Sequence, residues 1–217
     1  MKKENINLLS IIKVLKKHYP EPVCALHYTT PIQFLVAVIL SAQCTDKRVN
    51  EVTKELFKKY KTVGDFANAV PEKFEGEIFS TGFYRAKTKN IIAGAQAIQN
   101  TFAGKIPKTM AELITIPGVG RKTANVVLGE LYGTAEGIAV DTHVIRLSRL
   151  FGLTKHTDAT RIEQDLMHIV PQKDWVNFSH RLILYGREYC TAHCKHTDCP
   201  LAQFANQHEK SSMERGK

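Results

Sequence analysis

Apolar residues recur along most of this chain at intervals of three and four, the spacing that lines one face of an α-helix. Ile6, Leu9, Ile12 and Leu15 make such a stripe near the start. Val49, Val52, Leu56 and Tyr60 make another, behind Thr45 and Asp46, whose side chains suit a helix start. The longest unbroken apolar run, residues 34–40, reads as a buried helix. Further helices are predicted at about 86–101, 142–151, 158–170 and 174–185. No stretch alternates apolar and polar over the length of a strand, and there is no internal repeat or low-complexity linker, so the pattern predicts an all-α fold.

The helical period is interrupted between residues 109 and 132 by a turn with chemical potential. Residues 113–127 read LITIPGVGRKTANVV. A short helix is expected to about residue 114 behind Thr109 as cap, Pro117 ends it, and helical spacing resumes over 121–132. Gly118 and Gly120 flank Val119 and can adopt backbone angles that leave amides pointing outward at the start of the second helix. Such amides and the positive end of the helix dipole, beside Arg121, bind a phosphate without reading a base. The same turn on its own serves equally well as a helix cap.

Composition narrows the partners. At 217 residues, 43% of them hydrophobic, the chain can bury a substantial core as one large domain or two small lobes. No apolar run is long enough to span a membrane, and the opening MKKENIN lacks the apolar centre of a secretion signal, so the cytoplasm, or the nucleoid, is the expected location. Thirty Lys and Arg against 21 Asp and Glu give a net charge of +9, which favours a polyanion. Lys54, Lys58, Lys59 and Lys61 are read as a solvated face. No helix combines a basic stripe with an exposed aromatic edge, which argues against a membrane surface. In a reducing compartment, disulfides are not expected among the five cysteines; Cys24 and Cys44 read as buried thiols. The polar tail, 208–217, is expected to be disordered.

Three segments in order carry a resemblance: Leu40-Ser41-Ala42-Gln43-Cys44-Thr45-Asp46, then LITIPGVGRKTANVV, then Val140-Asp141-Thr142-His143. Together they resemble the helix-hairpin-helix DNA glycosylases, and within them the endonuclease III branch, over about residues 8–201. The resemblance implies two helical lobes with a DNA-binding cleft between them. Residues 21–134 would form a helical barrel carrying the hairpin (about 109–132), and 1–20 with 135–207 a lobe discontinuous in sequence. It implies a monomer acting on double-stranded DNA with damaged bases or abasic sites, as a bifunctional base excision repair glycosylase and apurinic/apyrimidinic lyase for oxidised pyrimidines.

By the same resemblance Lys122 is the nucleophile. Its amine would attack the sugar's anomeric carbon, displace the base, and hold the sugar as a Schiff base from which β-elimination cuts the strand. Only a neutral amine attacks, and lysine ordinarily titrates at about 10.4, so a helix start, Arg121 and a partly desolvated cleft are expected to help. Asp141 is the expected electrostatic partner, and the sequence also allows it to cap a helix beginning at Thr142. Gln43 would fill the gap left by an extruded nucleotide, and Phe83 would wedge between bases, although Phe83 also suits a core position. Gly118, Val119, Gly120 and Arg121 would hold phosphate. Ser41, His143 and Arg146 are further candidate DNA contacts. Two alternatives stand beside this reading: a relative with another base preference, such as a mismatch enzyme, and a non-catalytic module that only grips phosphates.

The C-terminal cysteines depart from the family pattern C-x6-C-x2-C-x5-C, whose four thiolates hold a 4Fe–4S cluster. Counted back and forward from Cys199, the second position is His196 and the fourth is Ala205. The interval from Cys190 to Cys199 is one residue short, and Cys194 fits no slot. The leading expectation is therefore no cofactor and a lobe closed by packing around Trp175, Phe178 and Leu201. An intact cluster, or zinc held by Cys190, Cys194 and Cys199 with His193 or His196, remain the alternatives.

Overall fold

The computed structural model describes residues 2–195 and 197–205. His196 and the tail 208–217, to which the sequence assigned a possible ligand and disorder, lie outside the described residues. Among those described, the chain is helical and holds no strand. No helix is long and apolar enough to cross a membrane. The chain divides into two compact units, Cys24–Glu136 and the discontinuous pair Met1–Val23 with Gly137–Lys217.

In the discontinuous unit, helix α1 (Lys2–His18) joins residues far away in sequence. Its buried stripe is Leu8, Ile11, Ile12 and Leu15. Leu9, which the spacing put on that stripe, is 62% exposed, because a 3.6-residue turn sets it about 100° away from Leu8.

The continuous unit begins with α2 (Pro31–Leu40), which starts on Pro31 at N1 behind Thr30 as cap. Eight of its ten residues are buried. One of these is polar: Gln33 donates to Phe57 O and Tyr60 O (3.2 and 3.0 Å) and accepts from Thr29 N–H and Thr29 Oγ1 (3.1 and 2.6 Å), so its burial leaves no amide group wanting. Helix α3 (Asp46–Lys59) is capped by Thr45, which accepts from Arg48 N–H. Lys54, Lys58, Lys59 and Lys61 are exposed around its end, with Lys58 on Glu55 and Lys59 on Glu77.

Helices α4 (Val63–Ala67) and α5 (Pro71–Ile78) were not predicted. They bring Phe66 and Phe74 against Tyr60 at ring separations of 5.3 and 5.2 Å. A 3-10 turn, Phe79–Thr81, leads to α6 (Tyr84–Thr101). The short α7 (Met110–Leu113), capped by Thr109, the hairpin, and α8 (Arg121–Tyr132) complete the unit. Its core runs from Leu26 to Leu128; Cys24 and Cys44 are only half-buried at the edge of that core, not inside it as expected.

The discontinuous unit resumes with α9 (Thr142–Leu150), α10 (Ala159–Ile169, capped by Asp158) and α11 (Trp175–Glu188). These close over α1 in a second core that includes Phe178 and Leu201. Arg181 fixes the chain leaving α1 by donating to Tyr19 O and Pro20 O, both at 2.8 Å.

Candidate nucleic-acid site

The hairpin between α7 and α8 is shaped by two close approaches to α6. Gly118 has φ +82°, and a Cβ there would stand 2.8 Å from Asn90 Cβ. On the other side, a Cβ on Gly94 would stand 3.0 Å from Pro117 O. Both glycines are required by backbone and helix lying in direct contact. Val119 is buried and its N–H donates to Ile116 O at 3.0 Å, so this residue pins the turn from within and its amide is already spent. Gly120 takes the N-cap position of α8 with no side chain to cap it. The first turn of α8 therefore presents its dipole and amides without a side-chain acceptor of its own cap. Arg121 and Lys122 are exposed on that turn.

Gln43 and Phe83, 40 positions apart, meet the hairpin around one open cavity of ≈ 210 Å³. Its lining includes Ala42, Gln43, Phe83, Lys87, Asn90, Gly118 and Thr123. Among the described residues only Gln43 (φ 53°), Phe83 (φ 49°) and Ala103 (φ 51°) take a left-handed backbone without being glycine. Such conformations are disfavoured for residues with a Cβ and gather where function constrains the chain. Phe83 is 64% exposed, which removes the core-packing alternative. Ser41 is spent locally: its hydroxyl donates to Val38 O at 2.8 Å and closes the end of α2.

Sequence reasoning missed Lys87, Asn90 and Thr123. The available signal was the helical spacing of Phe83, Lys87, Asn90 and Gly94, which forms one stripe along α6. A lysine and an asparagine on such a stripe read as surface until the partners are known.

In the other unit, Asp141 is the N-cap of α9 and accepts from Val144 N–H at 2.8 Å. His143 stands two residues on, with its Nδ1 buried and no hydrogen-bond partner. Burial lowers the His143 pKa, Asp141 opposes this, and Arg146 and Arg187 add to the lowering. Gly186 makes room for the ring, since a Cβ there would stand 2.6 Å from Nδ1. Arg146, a candidate DNA contact, is occupied otherwise. Its guanidinium donates to Cys190 O (2.5 Å), Thr191 O (3.3 Å) and Cys190 Sγ (3.4 Å), tying α9 to the C-terminal segment.

That segment gathers three sulfurs. Cys190 is buried, and burial raises its thiol to about 12 although Arg146 pulls the other way. Cys199 is raised by burial too, and shares hydrogen bonds with Tyr185 and Cys194. The Tyr185 hydroxyl also accepts from Leu201 N–H at 3.1 Å. The cysteine pattern that this segment resembles holds a 4Fe–4S cluster on four thiolates. Three thiols, with alanine at the fourth position, do not make its four-thiolate donor set. Among the described residues no group of three or more His, Cys, Asp or Glu is arranged to hold a metal ion.

Residues 36–172 match the HhH-GPD superfamily of base excision DNA repair proteins. The chain is 53% identical over 182 residues to the endonuclease III of Synechocystis sp., covering 84% of this chain and 83% of that protein. It superimposes with a TM-score of 0.90, at 38% identity and over 97% of its length, on an endonuclease III in non-covalent complex with DNA and on a trapped endonuclease III–DNA covalent intermediate, in each case covering 99% of the solved chain.

Proposed function

Because the chain belongs to the endonuclease III family of helix-hairpin-helix base excision repair proteins, we propose that it is a bifunctional DNA glycosylase and apurinic/apyrimidinic lyase. The observation that carries this reading is the convergence of Gln43, Phe83 and the Gly118 hairpin on one cavity, with Lys122 exposed on the helix turn that leaves the hairpin. Its substrate is duplex DNA carrying an oxidised pyrimidine or an abasic site.

In this mechanism the uncapped start of α8 receives a backbone phosphate, which places the adjacent sugar near Lys122. A base within the stack is out of reach, so the nucleotide is extruded while Phe83 and Gln43 occupy the helix it leaves. The Gln43 amide, with both donors and an acceptor, pairs with the orphaned base. Lys122 attacks the sugar as the neutral amine. That amine forms a bond to C1′ as the glycosidic bond breaks and the base leaves with the electron pair. Ring opening gives the protonated Schiff base; loss of a C2′ proton then expels the 3′ phosphate. By the family resemblance, the carboxyl group of Asp141 stabilises the positive charge that develops on the sugar.

Borohydride reduces the Schiff base to a stable amine, so wild-type protein should be trapped on an abasic duplex and Lys122→Ala should lose trapping by at least about 10³-fold. Undiminished trapping by the variant would assign the nucleophile elsewhere. Tight binding by the wild type with neither trapping nor nicking would leave a DNA-binding module.

We further infer that the chain works without the family cluster. The incomplete donor set, with His196 at the second cysteine position and Ala205 at the fourth, supports this reading. Protein purified anaerobically should contain iron well below one cluster per chain and show no iron–sulfur absorption in the visible range. Stoichiometric iron with that absorption would overturn it.

A further inference from the structure

The loops bearing Gln43 and Phe83 share one anchor, the side chain of Lys87. It is 4% exposed on the first turn of α6. Its ammonium donates to Leu40 O at 2.8 Å and to Thr81 O at 2.9 Å. Leu40 is the last residue of α2, three before Gln43, and Thr81 ends the 3-10 turn, two before Phe83. The backbone N–H of Lys87 also donates to Phe83 O at 3.0 Å. One residue thus ties the roots of both loops to the helix between them. We propose that Lys87 is a positioning residue that holds Gln43 and Phe83 at a fixed separation for entry into the duplex.

Three physical points support this role, which rests on the reading of Gln43 and Phe83 as inserted side chains. Leu40 O is one of the carbonyls that a helix C-terminus leaves without a partner, and a cation there is favoured by the dipole. An ammonium is a poor filler for a buried space, where burial lowers its pKa below the ordinary lysine value. A methionine would pack the same volume without that penalty, so packing alone does not account for the charge. Gln43 and Phe83 both hold left-handed backbone, which persists only where surrounding contacts over-determine it. Lys87 provides such contacts at both places. Its ammonium is buried and bonds the two carbonyls at the loop roots, so its role lies in the loops and not at the reacting sugar.

The test compares Lys87→Met and Lys87→Gln with wild type on two substrates: a duplex with one oxidised pyrimidine, and a single strand with an abasic site, which has no stack to open. In Lys87→Met, single-turnover excision from the duplex should fall about 10–100-fold while borohydride trapping on the single strand stays within about twofold. Lys87→Gln, which keeps an N–H donor, should recover part of the loss. Lys87→Met combined with Phe83→Ala should lose little beyond Phe83→Ala alone, because both remove the same insertion. Parallel losses on both substrates, additive losses in the double variant, or unchanged duplex excision would each overturn the proposal. So would failure of both Lys87 variants to fold, which would make the ammonium a requirement of folding. Wild-type protein unable to excise or be trapped would instead defeat the glycosylase reading beneath it.

Discussion

His143 shows how a single side chain is set by what surrounds it. Its Nδ1 is buried without a hydrogen-bond partner; burial, with the charges of Arg146 and Arg187, outweighs the opposing pull of Asp141 and holds the pKa below the ordinary imidazole value. As pH falls through about 6.5, the unfolded chain takes up a proton that the folded chain resists, so acid favours unfolding. The stability contributed by neutral His143 is complete above that value and is lost below it. Thermal unfolding at about pH 7.5 and about pH 5.5 should therefore show a larger loss for wild type than for His143→Gln. Equal losses would mean that the ring titrates alike in both states. The sequence named His143 as a DNA contact from its motif; only the position of Gly186 and the two arginines reveals its electrostatic setting.

At the scale of elements, α6 organises the candidate site of its unit. Phe83, Lys87, Asn90 and Gly94 recur at helical spacing: Phe83 O accepts from Lys87 N–H, the Lys87 ammonium reaches Leu40 O and Thr81 O, and Asn90 and Gly94 lie against Gly118 and Pro117 O. Gly118→Ala should meet both a disfavoured φ and the Asn90 Cβ, destabilising the protein by about 1–3 kcal/mol in denaturant titration and weakening duplex binding. Asn90→Ala should not rescue it, since alanine keeps the clashing Cβ. Rescue would show that the amide of Asn90, not its Cβ, sets the approach. The long helices were legible because ten or more residues repeat the period several times. Helices α4 and α5, five and eight residues long, repeat it barely or not at all. Their signals were local instead: the capping box of Thr62 and Asp65, and Pro71 at N1. At the hairpin, the sequence located the helix ends and both glycines. It did not reveal that the Val119 amide is consumed within the turn.

For the whole molecule, a net charge of +9 together with the proposed phosphate contacts of the hairpin implies binding driven largely by counterion release. Affinity for duplex DNA should fall by about 10–100-fold between about 50 and 200 mM salt if a few phosphates are neutralised. A flat response in a binding titration would refute a phosphate-led mode. The same scale separates what the chain order states from what folding decides. Local chemistry was determined by sequence alone: helical period, caps, the PGVG turn, an arginine and a lysine following it in that order, a basic balance and an incomplete cysteine set. These depend on neighbours within a few residues, and so survive reading in one dimension. That α1 shares a core with α9, α10 and α11 followed from the family resemblance and not from periodicity, and tertiary structure alone decided that Arg146 serves the C-terminal segment. It also decided that Lys87 bonds to carbonyls 47 and 6 positions away. Each of these depends on which surfaces meet after burial, and hydrophobic periodicity states that a face will be covered without stating by what.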